Sequence, residues 1–476
     1  MNNVVKNYLY NVSYQLLLII LPIITTPYIS RVLGANGIGT YGYTNSITQY
    51  FILFGCIGLN LYGQREIAYY QNDIKKRNKV FFEIASIRAI TVSVSLLVFY
   101  ITMIQHSKFS YIFIIQTLDI IASIFDISWF FQGIEEFKKT VLRNFFVRVI
   151  CVALIFTFVK SPDDLQLYVL SYSGTLLFGN ISLWIYMPKY VRLNEIKHIN
   201  LKRHIKPAIS LFLPQIATSL YTLLDKTMIG YITDNTSEVA YYEQSQTIIK
   251  TVMTVITSLG TAMMPRIANL FKTKQFDEIK KYMNASIKFV LVASVPFSFG
   301  IMAIANGFVP WFYGPGYDRV IPNIVITAPI IIFIGMSTIM GTQYLLSLGR
   351  QKEFTVSVVA GAVINFLLNI ILINLLLSVG AAIGTLIAEF SVMSIQFYFL
   401  RKDFDLKYIL NQAIKYICYG FIMFIGVRIV ANLLPTTILN TFIEIIVGGI
   451  IYLVLLIVSK DSIFDILKLK LAERRK

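Results

Sequence analysis

Cysteine and histidine are nearly absent, with three of each in 476 residues. Cys56, Cys151 and Cys418 all fall in hydrophobic stretches. They are odd in number and make no disulfide framework, so they read as core packing residues. His106, His198 and His204 stand in connections without ligand spacing to other candidates, so no metal site is expected. No glycine-rich phosphate loop is present either, which argues against an ATP-driven pump. Charge itself is scarce, at 14% of residues, and acids are outnumbered, 25 against 42 bases. What fills the chain instead is 56% hydrophobic residues, giving a mean hydropathy of +0.67. That composition belongs to an integral membrane protein.

Hydrophobic runs recur from Asn7 to Ser459. There are about fourteen, each long enough to cross a hydrocarbon core of ~30 Å at about 1.5 Å per residue. Their approximate bounds are 8–29, 40–62, 80–104, 109–131, 141–160, 165–187, 207–230, 238–262, 283–305, 321–345, 355–377, 380–400, 409–432 and 438–458. The first run is too long and too poorly flanked for a cleaved signal peptide, so it reads as a retained span. With the amino terminus inside, most of the 42 Lys and Arg fall in even-numbered connections and the tail. The odd-numbered connections hold Arg31, Lys108, Lys160 and Arg319. That asymmetry is the positive-inside signature. It predicts that both termini are cytoplasmic, and it explains a net charge of +17 without nucleic acid.

The longest outer connection, 306–322, carries Trp311, Phe312, Tyr313 and Tyr317, which suit a membrane interface. The segments Pro188–Lys206 and Ile463–Lys476 intersperse apolar and basic residues, as in a helix lying on the inner leaflet. A weak repeat is visible. Ile38-Gly39-x-Tyr41 matches Val239-Ala240-x-Tyr242, and the same offset pairs Asn45 with Gln246 and Arg65 with Arg266. The expected architecture is therefore an all-α polytopic membrane protein with two pseudo-symmetric six-helix lobes around a central cavity. The first lobe covers 1–190 and the second 207–400, with an amphipathic linker at 191–206. Two extra helices and a basic tail occupy 401–476.

Polar residues line up at helical spacing in several spans. Span two has Tyr41, Asn45, Gln49, Cys56 and Asn60, and its repeat mate, span eight, has Tyr242, Gln246, Lys250, Thr254 and Thr257. Span seven has Thr218, Thr222 and Asp225; span four has Gln116, Asp119, Ser123 and Asp126. An unpaired polar group facing lipid costs several kcal/mol, so these stripes are expected to line a shared cavity. Intramembrane charges are costlier still and call for a partner or a function. Lys250, Arg148, Arg88, Arg65, Arg266 and Lys288 are candidates for binding a substrate diphosphate, because Arg and Lys match phosphate. Arg88, Arg148 and Asp126 lie at similar depth and are candidates for a charge network. Asp225, Glu389, Asp119 and Asp126 are candidates for coupling to H⁺ or Na⁺, with no other cofactor expected. Pro22, Pro27, Pro207 and Pro214 permit kinks in spans one and seven, either as hinges or as fixed bends. Asp403-x-Asp405 looks like a sugar-nucleotide metal motif but lies in a short connection, where it reads as a solvated turn.

Several motifs carry a family resemblance. The run from Tyr28 to Tyr41, YISRVLGANGIGTY, resembles the opening of Wzx-type polysaccharide repeat-unit flippases of the multidrug/oligosaccharidyl-lipid/polysaccharide (MOP) exporter superfamily. The segments Gln132–Lys138, Leu224–Gly230 and Phe312–Tyr317 are similar to that family too, as are Asn365-x-x-x-Asn369 and Gly380–Thr385. The resemblance spans nearly the whole chain. It implies ion-coupled alternating access and transport of an undecaprenyl-diphosphate-linked oligosaccharide to the outer leaflet of the bacterial cytoplasmic membrane, for capsule, O-antigen or exopolysaccharide assembly. Membrane lipids, a polysaccharide polymerase and assembly proteins are the implied partners. Relatives that flip the peptidoglycan precursor carry several arginines on the first helix, whereas this chain has none before Arg31. The alternative is a drug or cation antiporter of the same superfamily. A membrane polymerase or glycosyltransferase needs a larger outer loop than any here, so no enzyme is expected.

Overall fold

The computed structural model describes residues 3–191 and 199–464, with side chains from 21 onward except 213–215, 217–221, 255 and 258–262. Among the described residues every regular element is a helix. A bilayer offers the backbone no water, so apolar runs of this length must satisfy their amides internally. Each expected hydrophobic run falls on helical elements, with breaks inside 40–62, 109–131 and 321–345. Among the described residues nine helical segments are long and apolar enough to cross a membrane. The remaining expected spans fall on α1 (Asn3–Cys56), α7 (Leu165–Trp184), α8 (Lys202–Thr233) and α9 (Thr236–Lys272).

The chain forms two compact units, the first covering 1–230 and 235–239, the second 231–234 and 240–476. In the first, α1 carries two expected spans in one continuous element. Its helical geometry breaks at Gly34, whose φ of 66° lies in the left-handed region that favours glycine. The break is thus at a glycine, whereas Pro22 and Pro27 sit within the helix. Next come α2 (Leu59–Tyr69), α3 (Ile74–Phe99), α4 (Ser110–Phe125), α5 (Ser128–Gly133), α6 (Phe137–Phe158), α7 and most of α8. Trp129, Phe81, Phe130 and Leu59 form a buried core at one end of this unit. A Cβ on Gly63 would approach the Trp129 ring to 2.6 Å, so α2 and α5 pack only with glycine there.

The second unit continues through α9 and α10 (Phe276–Tyr313) to α11 (Val320–Thr327) and α12 (Ile330–Ser337). A π-helical stretch, Thr338–Leu346, leads to α13 (Gln351–Leu376), α14 (Ser378–Leu400), α15 (Leu406–Leu433) and α16 (Ile438–Val458). Two expectations are corrected here. The 306–322 connection is no aromatic interface loop. Helix α10 runs through it to Tyr313, and Tyr313 and Tyr317 are buried and stacked at 5.4 Å. Cys418 is exposed rather than packed in a core, whereas Cys56 and Cys151 are buried.

Two carboxylates fasten chain segments that are remote in sequence. Glu83, buried in α3, accepts hydrogen bonds from the Asn200 amide (2.7 Å) and the Arg203 guanidinium (2.5 Å), and pairs with His204 Nε2 at 2.9 Å. His204 Nδ1 in turn meets the Tyr62 hydroxyl at 2.7 Å. The described end of the expected surface linker is therefore clamped into the first unit. Residues 192–198 of that linker, and 465–476 of the basic tail, lie outside the described residues.

In the second unit, Asp461 follows α16 and is buried between Lys288 (2.8 Å) and Lys415 (2.5 Å), with the Tyr416 hydroxyl at 3.0 Å. Burial alone pushes its carboxyl up, but hydrogen bonds from Lys288 and Lys415 outweigh that and hold it well below the usual carboxylate range. A depressed folded-state pKa stabilises above the unfolded value, and that contribution is lost as pH falls through the folded one. Replacing Asp461 with Asn leaves two ammonium groups without their shared counter-ion. It should cost about 3–5 kcal/mol, read as a lower thermal unfolding midpoint in detergent. The wild-type advantage should hold at neutral pH and shrink only in strong acid. An unchanged midpoint for Asp461→Asn would refute the clamp.

Candidate functional site

In the first unit, residues from α1, the α1–α2 junction and α8 enclose a cavity of about 280 Å³. Gln49, Cys56, Asn60 and Thr222 supply its polar lining, with Ile52 and Leu53 beside them. Three sequence candidates thus meet. Asn45, one helical turn before Gln49, accepts its amide at 3.3 Å. Behind Asn60 stands Arg88, 2% exposed, whose Nη1 donates to Asn60 Oδ1 at 2.5 Å. Arg88 Nε donates to the Ser123 carbonyl at 2.5 Å, and its Nη2 lies 3.7 Å from Asp126. Asp126 is shared with Arg143, at 3.8 Å, and Arg143 donates to Asn180 at 2.6 Å. Because Arg88 occupies the amide oxygen of Asn60, what Asn60 can add toward a ligand is donor capacity. Hydroxyl and phosphate oxygens are the partners for such a donor.

The charge network expected from sequence exists with one changed member. Arg88 and Asp126 pair, but the second base is Arg143; Arg148 is exposed on α6. Helix geometry explains the swap. Arg143 and Arg148 are five residues apart, and a helix brings together residues three or four apart, so these two lie on different faces. The expectation for span four is corrected. Its polar stripe closes inside the unit instead of lining the cavity: Asp119 accepts from Ser173 at 2.9 Å, and Gln116 bonds Thr48 (2.9 Å) and Thr44 (3.2 Å). Neighbouring helices satisfy these groups, so they need no ligand. Asp225 is buried in α8. Thr218 lies outside the residues whose side chains are described.

In the second unit, the polar stripe of α9 changes character along its length. Tyr242 and Gln246 are buried, while Lys250 and Thr254 are exposed. Thr254 turns its hydroxyl back to the Lys250 carbonyl at 3.0 Å. Tyr242 meets Thr385 at 2.9 Å, Asn365 donates to Thr385 at 3.4 Å, and Asn369 donates to Asn365 at 3.2 Å. Motifs remote in sequence thereby form one buried, uncharged polar cluster, with half-buried Glu389 one turn beyond Thr385 on α14. Lys288 is corrected from a phosphate candidate to the partner of Asp461, since its ammonium is committed there. Arg65 and Arg266, matched in the repeat, each lie over tyrosine rings: Arg65 at 5.4 Å from Tyr62 and Arg266 at 4.4 Å from Tyr282. Asp403 pairs with Arg350 at 2.5 Å and Asp405 caps α15, so Asp403-x-Asp405 is a structural turn. Among the described residues no group of acidic, His or Cys side chains is arranged to hold a metal ion.

Among the described residues these features define a multi-pass helical membrane protein. The sequence matches the polysaccharide biosynthesis protein family over residues 4–271, more than half of the chain, and it belongs to that family. It also matches the lipid II flippase MurJ family over 144–454. It is similar to a candidate O-antigen transporter of Escherichia coli (strain K12), with 26% identity over 81% of this chain and 93% of the other. In fold it is similar to the lipid II flippase MurJ in an inward closed conformation, with a TM-score of 0.77 at 14% identity, covering 96% of this chain and all of that one. An inward-facing multidrug transporter of the MATE family, in the MOP superfamily, aligns with a TM-score of 0.58 at 12% identity over 83% of this chain and 98% of the other.

The swap of Arg143 for Arg148 has a direct test. Arg143→Ala takes from Asp126 one of its two bases and should cost about 1–3 kcal/mol. Arg148→Ala, at an exposed position, should stay within about 0.5 kcal/mol. Thermal unfolding of the two purified variants separates them, and equal destabilisation would disprove the assignment.

Proposed function

We propose that this protein flips an undecaprenyl-diphosphate-linked oligosaccharide from the inner to the outer leaflet of the bacterial cytoplasmic membrane. The observation that carries the reading is membership of the polysaccharide biosynthesis family. The name borne by the Escherichia coli relative supports the substrate class. The chemistry of the first unit agrees with it. A polar cavity backed by a guanidinium suits sugar hydroxyls and phosphate. The antiporter alternative rests on the likeness to the multidrug transporter, which is the weaker of the two fold matches.

In this reading both termini lie in the cytoplasm, as the basic connections indicate. Transport proceeds by alternating access coupled to H⁺ or Na⁺, and the product feeds a polymerase and assembly proteins that build capsule, O-antigen or exopolysaccharide. Lys250 is the cation assigned to the carrier diphosphate in the second unit. It is exposed on α9. Asp225 and Glu389 are assigned to ion coupling.

The decisive experiment follows surface glycan together with the leaflet distribution of lipid-linked sugar in cells that depend on this gene. Lys250→Ala should abolish export at normal protein abundance, and Lys250→Arg should retain part of it, because charge matters more than shape for a mobile phosphate. Asp225→Asn and Glu389→Gln in the same assay should remove the response to pH or Na⁺ gradients. Normal export by Lys250→Ala would remove that residue from the site. Unchanged leaflet distribution on depletion of the protein would overturn the flippase reading itself.

A further inference from the structure

Helices α6 and α7 run antiparallel and leave between them a groove of about 860 Å³. It reaches from Phe158 and Leu167 at one end to Lys139 and Tyr186 at the other. The helices close on each other at Gly179, where a Cβ would come within 2.1 Å of Val147. At Gly174 they part, and a Cβ there would meet no atom within 4 Å. The walls are apolar and outward-facing: Phe146 is 56% exposed and Phe178 72%. In a bilayer such a groove fills with hydrocarbon, because the hydroxyls along its middle, Ser171 and Thr175, turn back onto α7 carbonyls.

One end differs. The charged residues lining the groove are Lys139 and Arg143, both cations and one helical turn apart. Neither is a loose surface side chain. Lys139 is 17% exposed and held by Glu136 at 3.0 Å and by the Tyr190 hydroxyl. Arg143 is 10% exposed and held by Asp126 and Asn180. Asp126 divides its charge between Arg143 and Arg88. This end of α6 is also the one that the positive-inside pattern assigns to the cytoplasm. A hydrocarbon groove ending in two preorganised cations at headgroup depth has the chemistry of a phospholipid site, since basic pockets between membrane helices on the cytoplasmic side take anionic headgroups.

We propose that the α6–α7 groove binds one anionic phospholipid of the cytoplasmic leaflet, with an acyl chain lying past Gly174 and the phosphate between Lys139 and Arg143. This stands apart from the transport reading, because it uses neither the Asn60 cavity nor Lys250. Gly174 also supplies a plug. Leucine there projects into open space and fills the groove, leaving the Gly179–Val147 contact untouched.

The test is native mass spectrometry of the purified full-length protein in detergent. It is titrated separately with dioleoyl phosphatidylglycerol, dioleoyl phosphatidylcholine and undecaprenyl diphosphate. Phosphatidylglycerol should stay bound where phosphatidylcholine does not. Lys139→Gln and Arg143→Gln should each lower its occupancy about fivefold. Gly174→Leu should abolish the adduct while keeping the wild-type unfolding midpoint. Arg143→Gln also removes a partner of Asp126, so Lys139→Gln and Gly174→Leu decide the matter if it fails to fold. Equal occupancy by the two phospholipids overturns the proposal, as does wild-type phosphatidylglycerol binding by Gly174→Leu. Displacement of phosphatidylglycerol by equimolar undecaprenyl diphosphate would assign the groove to the lipid carrier and equally overturn it.

Discussion

A carboxylate that leaves water must find its counter-charges within the protein, and the rest of this structure is arranged around that demand. It is met the same way three times, with one acid set between two bases. Asp126 lies between Arg88 and Arg143, Asp461 between Lys288 and Lys415, and Glu83 between Arg203 and His204. Each acid fastens segments that hydrophobicity alone leaves loosely related. Asp126 joins α3 to α6 at the end of α4, Asp461 joins α10 to α15 just after α16, and Glu83 joins α3 to the start of α8. Apolar helices in lipid gain little from further apolar contact, because the acyl chains are just as apolar. Polar and ionic contacts therefore carry much of the specificity of assembly here.

The same demand sorts the basic residues by task. A lysine or arginine already held by a buried carboxylate is part of the scaffold, as Lys288 is. Lys250 and Arg266 are exposed and belong to none of these three clamps. Arg88 falls between these cases. Its charge is shared with Asp126, yet one nitrogen reaches Asn60, which lines the polar cavity.

The all-helical membrane character was legible in the sequence because it needs only length and hydropathy, and nine of the helical segments among the described residues are long and apolar enough to span. Arg65 and Arg266, matched in the repeat, both lie over tyrosines. What the sequence does not disclose is which surface a polar stripe faces. A stripe shows only that a helix face avoids lipid. In span two that face lines a cavity; in span four it meets Ser173, Thr44 and Thr48 on neighbouring helices. Aromatics carry the same ambiguity, so Tyr313 and Tyr317 look interfacial by composition and are buried. The clamps on Glu83 and Asp461 were invisible because they join residues 46 positions apart or more, and no local pattern marks such a pair.

The relation between Arg88 and Asn60 bears on how a site of this kind works. A substrate that must be released on the far side of a membrane cannot be held by a bare guanidinium in a dry cavity, where a charge-assisted pair is strong. Here Asp126 moderates the charge of Arg88, and Asn60 stands between Arg88 and the cavity. A hydrogen bond to the amide oxygen polarises the amide and strengthens its N–H as a donor. The ligand then meets a neutral group with enhanced donor strength instead of a fixed ion. Such a contact is strong enough to select oxygen-rich ligands and weak enough to let them go. In the proposed reading the exposed cation on α9, Lys250, meets the same demand differently. It sits on a flexible stem, so it can follow a phosphate as the surroundings change. Under the proposed flippase reading, a polarised amide in one unit and an exposed point charge in the other are two solutions to one problem: holding an anion without keeping it.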